Sequence, residues 1–310
     1  MWWFQQGLSF LPALLAVWTA AAFVLAYVTA VVLRHVDPLV PYISDTGTMA
    51  PERCVFGIML DVSAFLGMAT VYVRYKQVEA LTGADDADGG RSVSRLNRLG
   101  LLLGLFSSMG MCVVANFQVS SSQVKAKTLC VSNESVIRMP RRRRIRAFAC
   151  AQKTTLFRVH LLGAVLTLGV GAVYILAQTL LSHRMQPRVH SRRVFHVRLA
   201  LALWTLASIV GMFVSSVVMY SSLPGVDVAR KLHWTPGETG YTAHIVSTLC
   251  EWSLAFSFIS FFLTFIRDFQ KIKLRAEADV QCRHLYDRPP RSLAAAAAAS
   301  ESSPLLPGDT

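Results

Sequence analysis

Three ionisable side chains, Asp61, His160 and Glu251, each interrupt a long run of apolar residues. Charge in hydrocarbon is costly, so a residue of this kind normally faces a helix-bundle interior or a wet cavity. At 1.5 Å of rise per residue, Asp61 lies about 10 Å, His160 about 8 Å and Glu251 about 13 Å from the non-cytosolic ends of their predicted helices. That common depth allows one polar layer. Its chemistry would be proton exchange at a site open to an acidic compartment. Hydrogen-bonded packing between helices is the simpler account and the favoured one.

Other chemistry-bearing patterns are weaker. Asp45-Thr46-Gly47-Thr48 spells the signature of an aspartic protease, whose chemistry needs two carboxylates sharing a proton. The motif occurs once, among Pro38, Pro41 and Pro51, and Asp, Thr and Gly are turn formers, so a turn is expected there. Six cysteines show neither a disulfide framework nor a metal-ligand spacing. With no nucleophile and base set, no cofactor motif and no metal cluster, the sequence reads as a non-enzyme without cofactors.

The elements that must hold these residues are long apolar blocks. The chain is 16% charged and 53% hydrophobic, where a soluble domain carries roughly a quarter charged residues. About 20 apolar residues in a helix cross a hydrocarbon core. Six blocks meet that length, at residues 8–33, 55–73, 99–117, 155–181, 197–220 and 242–266. The first lacks the basic start and short apolar region of a signal peptide, so it is read as a retained helix. Closed barrels would show ten-residue alternation, which these blocks lack. The predicted class is an all-α polytopic membrane protein, with six transmembrane helices in one bundle over residues 1–266 and a disordered tail over 267–310.

Lys and Arg in short loops set the orientation. The segments 74–98, 182–198 and the tail hold 17 of them, against four in the loops 34–53 and 221–241. This predicts cytosolic N- and C-termini. Residues 119–158 contradict the pattern with ten basic residues, among them Arg141-Arg142-Arg143-Arg144. The net charge of +13 therefore flanks membrane spans, and no nucleic-acid partner is expected. The partner it does imply is the lipid bilayer.

Five stretches carry a resemblance: Met1-Trp2-Trp3-Phe4-Gln5-Gln6-Gly7 through Pro12, Pro41-Tyr42-Ile43-Ser44 through Thr48, Tyr72-Val73-Arg74-Tyr75-Lys76-Gln77-Val78, Lys231-Leu232-His233-Trp234, and Ile266-Arg267-Asp268-Phe269-Gln270 through Ile272. Together they resemble the DRAM family of lysosomal autophagy modulators, from residue 1 to about 290. The resemblance implies a six-span protein of lysosomal or late endosomal membranes that promotes autophagy through unspecified autophagy-related proteins. It also implies a link to apoptosis, support of photoreceptor survival and no catalytic activity.

The family pattern runs directly from Ala115-Asn116-Phe117-Gln118 to Lys153-Thr154-Thr155, so residues 119–152 interrupt it. This stretch holds eight of the 31 basic residues and no apolar block. Val119-Ser120 permits a splice-donor sequence and Gln152 an acceptor, so a retained intron is the favoured origin. Removing it restores the charge rule and a short loop. An alternative exon is the other reading, under which Asn133-Glu134-Ser135 is an N-glycosylation sequon on the non-cytosolic side.

Near the C-terminus, Glu301 precedes Leu305-Leu306 by four positions, the acidic dileucine pattern. A carboxylate for a basic patch and two leucines for an apolar slot suit a clathrin adaptor, reached by an extended segment. The expected address is the lysosomal membrane, with passage through late endosomes and the plasma membrane. A lipid or small-solute transporter is the alternative function, with Asp61, His160 and Glu251 as its site. It lacks the paired broken helices and inverted repeats of transporters.

Overall fold

The computed structural model describes residues 7–39, 41–82, 88–118, 158–187, 189–223, 231–270 and 272. These lie in one compact unit. Among the described residues six helices are long and apolar enough to cross a membrane: α1 (Phe10–Val32), α2 (Glu52–Thr82), α3 (Asp88–Asn116), α4 (Arg158–Arg184), α5 (Arg192–Ser222) and α6 (Tyr241–Leu263). A short helix, α7 (Phe265–Phe269), continues α6. The chain is thus an all-α polytopic membrane protein, as the apolar blocks predict. The stretch 119–152, Asn133, Glu301, Leu305 and Leu306 lie outside the described residues.

The helices overrun the blocks. α2 and α5 each run 31 residues, about 46 Å at the helical rise against a core of roughly 30 Å. Polar residues continue a helix once its backbone ladder has started, because ending it exposes unsatisfied amides and carbonyls. Ser191 helps start α5 by accepting a bond from the Val194 amide, and left-handed Gly240 precedes α6. Arg74, Lys76 and Arg98, counted above as loop charges, therefore lie in α2 and α3.

Each helix packs on its neighbours in sequence, and α6 returns to α1 to close the bundle. One apolar cluster joins Leu11 of α1, Val71 of α2, Tyr174 and Ile175 of α4, Ala202 of α5, and Phe261, Phe265 and Phe269. A second, toward the other face, joins Phe23 and Ala26 to Phe56, Leu60, Ala115 and Ile43. Lipid tails are as apolar as leucine, so close approach of small residues must drive helix association. Along α5 and α6 the hydroxyls of Thr205 and Ser257 meet at 2.9 Å, Ser208 and Ser253 at 3.0 Å, and Ser216 and Ser247 at 2.9 Å. At about 0.6 kcal/mol apiece, such bonds fix register more than they hold the helices together. α4 carries a π-helical segment, Val165–Val170, where it passes α3.

Candidate functional site

The helix ends define two faces, and each carries a polar cluster. The face holding the start of α1, the end of α2, the start of α5 and α7 is called here the N-terminal face. Arg74 and Arg198 are its most buried charges, both 0% exposed. They converge on one carboxylate: Arg198 Nη2 donates to Asp268 Oδ2 at 2.5 Å and Arg74 Nη1 to the same oxygen at 3.2 Å. His190 Nε2 stands 3.2 Å from that oxygen. Two guanidiniums share one negative charge, so the cluster holds an excess positive charge out of water.

Neutral groups complete the guanidinium shells. Arg74 donates to Gln77 Oε1 at 2.7 Å and to Gln178 Oε1 at 3.3 Å. Arg198 donates to the hydroxyls of Ser182 at 2.6 Å and Thr264 at 3.0 Å. Phe265 lies beneath both, with Arg198 Cζ 4.9 Å and Arg74 Cζ 5.3 Å from its ring centroid, so its π face faces each cation. Gln77 Nε2 donates to the Asp268 carbonyl at 2.6 Å, tying α2 to α7. Burial holds His190 below the ordinary imidazole range, and the neighbouring arginines work in the same direction against Asp268. The neutral ring therefore leaves the charge balance to the arginines and Asp268.

On the opposite face, the α1–α2 loop meets the stretch before α6. Asp37 accepts from the Trp234 amide at 2.6 Å and contacts His233 Nδ1 at 2.9 Å. Trp234 stacks on His244 at 4.4 Å. Buried Glu52 faces His35 Nδ1 at 2.5 Å. The Asp45–Gly47 segment is a single 3₁₀ turn, capped by Thr46 on the Ile43 carbonyl at 2.7 Å and Thr48 on the Asp45 carbonyl at 2.9 Å. This agrees with the turn expected of that motif.

Two of the three intramembrane residues are placed at one helix end, and the third has its partner elsewhere. Asp61 accepts from Asn116 Nδ2 at 3.0 and 3.1 Å, while His160 Nδ1 lies 3.1 Å from the Phe117 carbonyl, so both dock at the end of α3. Glu251 accepts from the Ile43 amide at 2.8 Å and so anchors the α1–α2 loop to α6. No hydrogen bond or ion pair among the described residues joins these three to one another. Each has a protein partner of its own.

Sequence reasoning passed over Arg74, His190, Arg198 and Asp268. The available signal was Asp268 itself, one acidic residue in the basic run from Arg267 to Arg275.

The family model for the Frag1/DRAM/Sfk1/Cwh43P N-terminal domain matches residues 7–124 and 145–272. The chain belongs to the Frag1/DRAM/Sfk1/Cwh43P family. It is 47% identical over 309 residues to rat DNA damage-regulated autophagy modulator protein 2, covering 100% of the chain and 99% of the relative. The human protein of that name is 47% identical over 94% of each. Mouse DNA damage-regulated autophagy modulator protein 1 is 38% identical over 89% of the chain and 97% of its own length. No solved structure matches. Both polar clusters of this Frag1/DRAM chain fall within the matched stretches, and the unmatched residues 125–144 fall within the interruption at 119–152.

One consequence can be measured on the opposite face. Burial raises the Asp45 carboxyl from 3.8 to about 7 and the Tyr42 hydroxyl to about 12, and Glu251 is near enough to repel an ionised Asp45. A carboxyl raised on folding binds its proton more tightly in the native state. Its contribution to stability is therefore complete below pH 3.8 and is lost as pH rises toward 7. Relative to Asp45→Asn, the wild-type protein should gain melting temperature as pH is lowered from neutrality. Parallel melting curves for the two proteins across that range would show that Asp45 keeps its ordinary pKa.

Proposed function

We propose that this protein is a non-enzymatic regulator of the lysosomal membrane that promotes autophagy, with its N-terminal face and both termini in the cytosol. The observation that carries the reading is near-full-length similarity to proteins named autophagy modulators. The excess of Lys and Arg on the N-terminal face supports the orientation. Glu301, Leu305 and Leu306 would then be offered to a clathrin adaptor in the cytosol, with lysosomes reached through late endosomes and, in transit, the plasma membrane. Support of photoreceptor survival and a link to apoptosis belong to the same proposal. Residues 119–152 are proposed to derive from a retained intron; under the other reading, an alternative exon, Asn133 is a glycan acceptor.

Asp61, His160 and Glu251 are proposed as packing residues that tie helix ends and the α1–α2 loop together, because each already has a protein partner. The test is re-expression in cells depleted of the protein, reading autophagic flux, lysosomal colocalisation and surface biotinylation together. Wild type should restore flux and colocalise with lysosomes, whereas Leu305→Ala with Leu306→Ala should raise the surface fraction several-fold without loss of total protein. Wild type that leaves flux unchanged would overturn the autophagy role. An unchanged surface fraction in the double variant would remove the dileucine signal.

A further inference from the structure

A groove of about 550 Å³ runs along the outside of the bundle at the N-terminal face, between α1, the start of α5 and the junction of α6 with α7. Its walls are apolar: Ala13 and Val17 from α1, Val197 from α5, and Leu263 from α6. Val17 and Val197 are 69% and 51% exposed, so these walls meet the acyl chains around the protein. Its remaining lining includes two exposed cations, Arg193 in the first turn of α5 and Arg267 in α7. Neither has a carboxylate partner among the described residues. Thr264, also in the lining, accepts from buried Arg198, so the groove lies against the cluster with excess positive charge.

Apolar walls and unpaired cations lie where spans α5 and α6 reach their membrane edge. A free anion would be matched by the arginines but would leave the apolar walls unused. A zwitterionic lipid would bring a positive group toward a region in which Arg74, Arg198, Arg193 and Arg267 outnumber Asp268. We propose that the groove is a binding site for one anionic phospholipid. Its headgroup pairs with Arg193 and Arg267, and an acyl chain lies along Ala13, Val17, Val197 and Leu263. The site does not depend on the autophagy role and adds a ligand to it.

The test reconstitutes the full-length protein into phosphatidylcholine vesicles carrying a trace of a photoactivatable lipid, either phosphatidylserine or phosphatidylcholine with the same labelled chain. Crosslinks are mapped to peptides by mass spectrometry. Near a membrane surface each basic residue contributes about fivefold to anionic-lipid affinity, so two predict about twenty-five-fold preference for phosphatidylserine at peptides spanning residues 193–197 and 263–267. R193Q/R267Q should bring that ratio close to one while the melting temperature holds, because both side chains are exposed. Val197→Trp keeps the charges but fills the groove, and should lower labelling by both lipids there. Equal labelling of wild type by the two probes, or a preference that survives R193Q/R267Q, would overturn the site. Labelling that appears only after residues 273–310 are removed would also overturn it, by showing that the groove's occupant is the protein's own tail.

Discussion

Asp268→Ala is expected to abolish most of the folded protein in membranes, with a loss of roughly 3–5 kcal/mol, the cost of leaving buried charge uncompensated. Arg74 and Arg198 are both 0% exposed, and Asp268 is the one carboxylate they share among the described residues. Hydroxyls, amides and the Phe265 ring would still solvate the guanidiniums, but none of them carries negative charge. The opposite substitution separates charge from packing. Arg74→Met removes the excess cation and leaves Arg198 with Asp268 as a neutral pair at 2.5 Å, so it should cost much less than Asp268→Ala. Thermal melting of detergent-purified variants, followed by tryptophan fluorescence, measures the difference. If the two substitutions were equally mild, the excess-charge account of this cluster would fail.

Gly110→Leu is expected to separate α3 from α4 and to destabilise the protein at or above the top of the 1–3 kcal/mol range usual for overpacking. A Cβ at Gly110 would stand 2.6 Å from both Leu166 Cβ and the Thr167 amide nitrogen, and 2.8 Å from the Gly163 carbonyl oxygen. Two of these three are backbone atoms, which cannot rotate away. Gly163 is bound from the other side, its own Cβ falling 2.8 Å from Val113 Cγ1 and 3.0 Å from the Val114 amide nitrogen. The helices thus touch backbone to backbone where α4 enters its π segment. Gly169→Ala is the matched control. It lies in the same segment, yet its Cβ would meet only Val165 Cγ1, at 3.8 Å. Expression and melting temperature should fall sharply for the first variant and hold for the second. Equal behaviour would mean that the contact at Gly110 does not hold the two helices together.

Much of the architecture is legible in the amino-acid sequence. Hydropathy is a property of consecutive residues, so the six apolar blocks coincide with the six long helices to within a few residues at most ends. The largest misses were at the ends of α2 and α3, where the blocks stop at Val73 and begin at Leu99 while the helices run to Thr82 and from Asp88. There the residues are polar, and hydrophobicity carries no signal for a backbone ladder that continues out of the hydrocarbon. The Asp45-Thr46-Gly47 turn was equally legible, because local side-chain to backbone bonds make it.

What the sequence by itself determined about this protein is therefore local and one-dimensional: the number and class of its spans, the face on which its positive charge gathers, and the stretches that carry its family resemblance. The tertiary structure decided which charges are buried and which are paired. Arg74 read as one of many basic residues beside a span, because its counter-charge is 194 residues away in sequence. The depths of Asp61, His160 and Glu251 allow one layer, since helical rise gives a residue's depth but not the side of the helix it occupies. Their partners are Asn116 and the adjoining Phe117 carbonyl at the end of α3 and the Ile43 amide in the α1–α2 loop, and only packing brings those two segments to them.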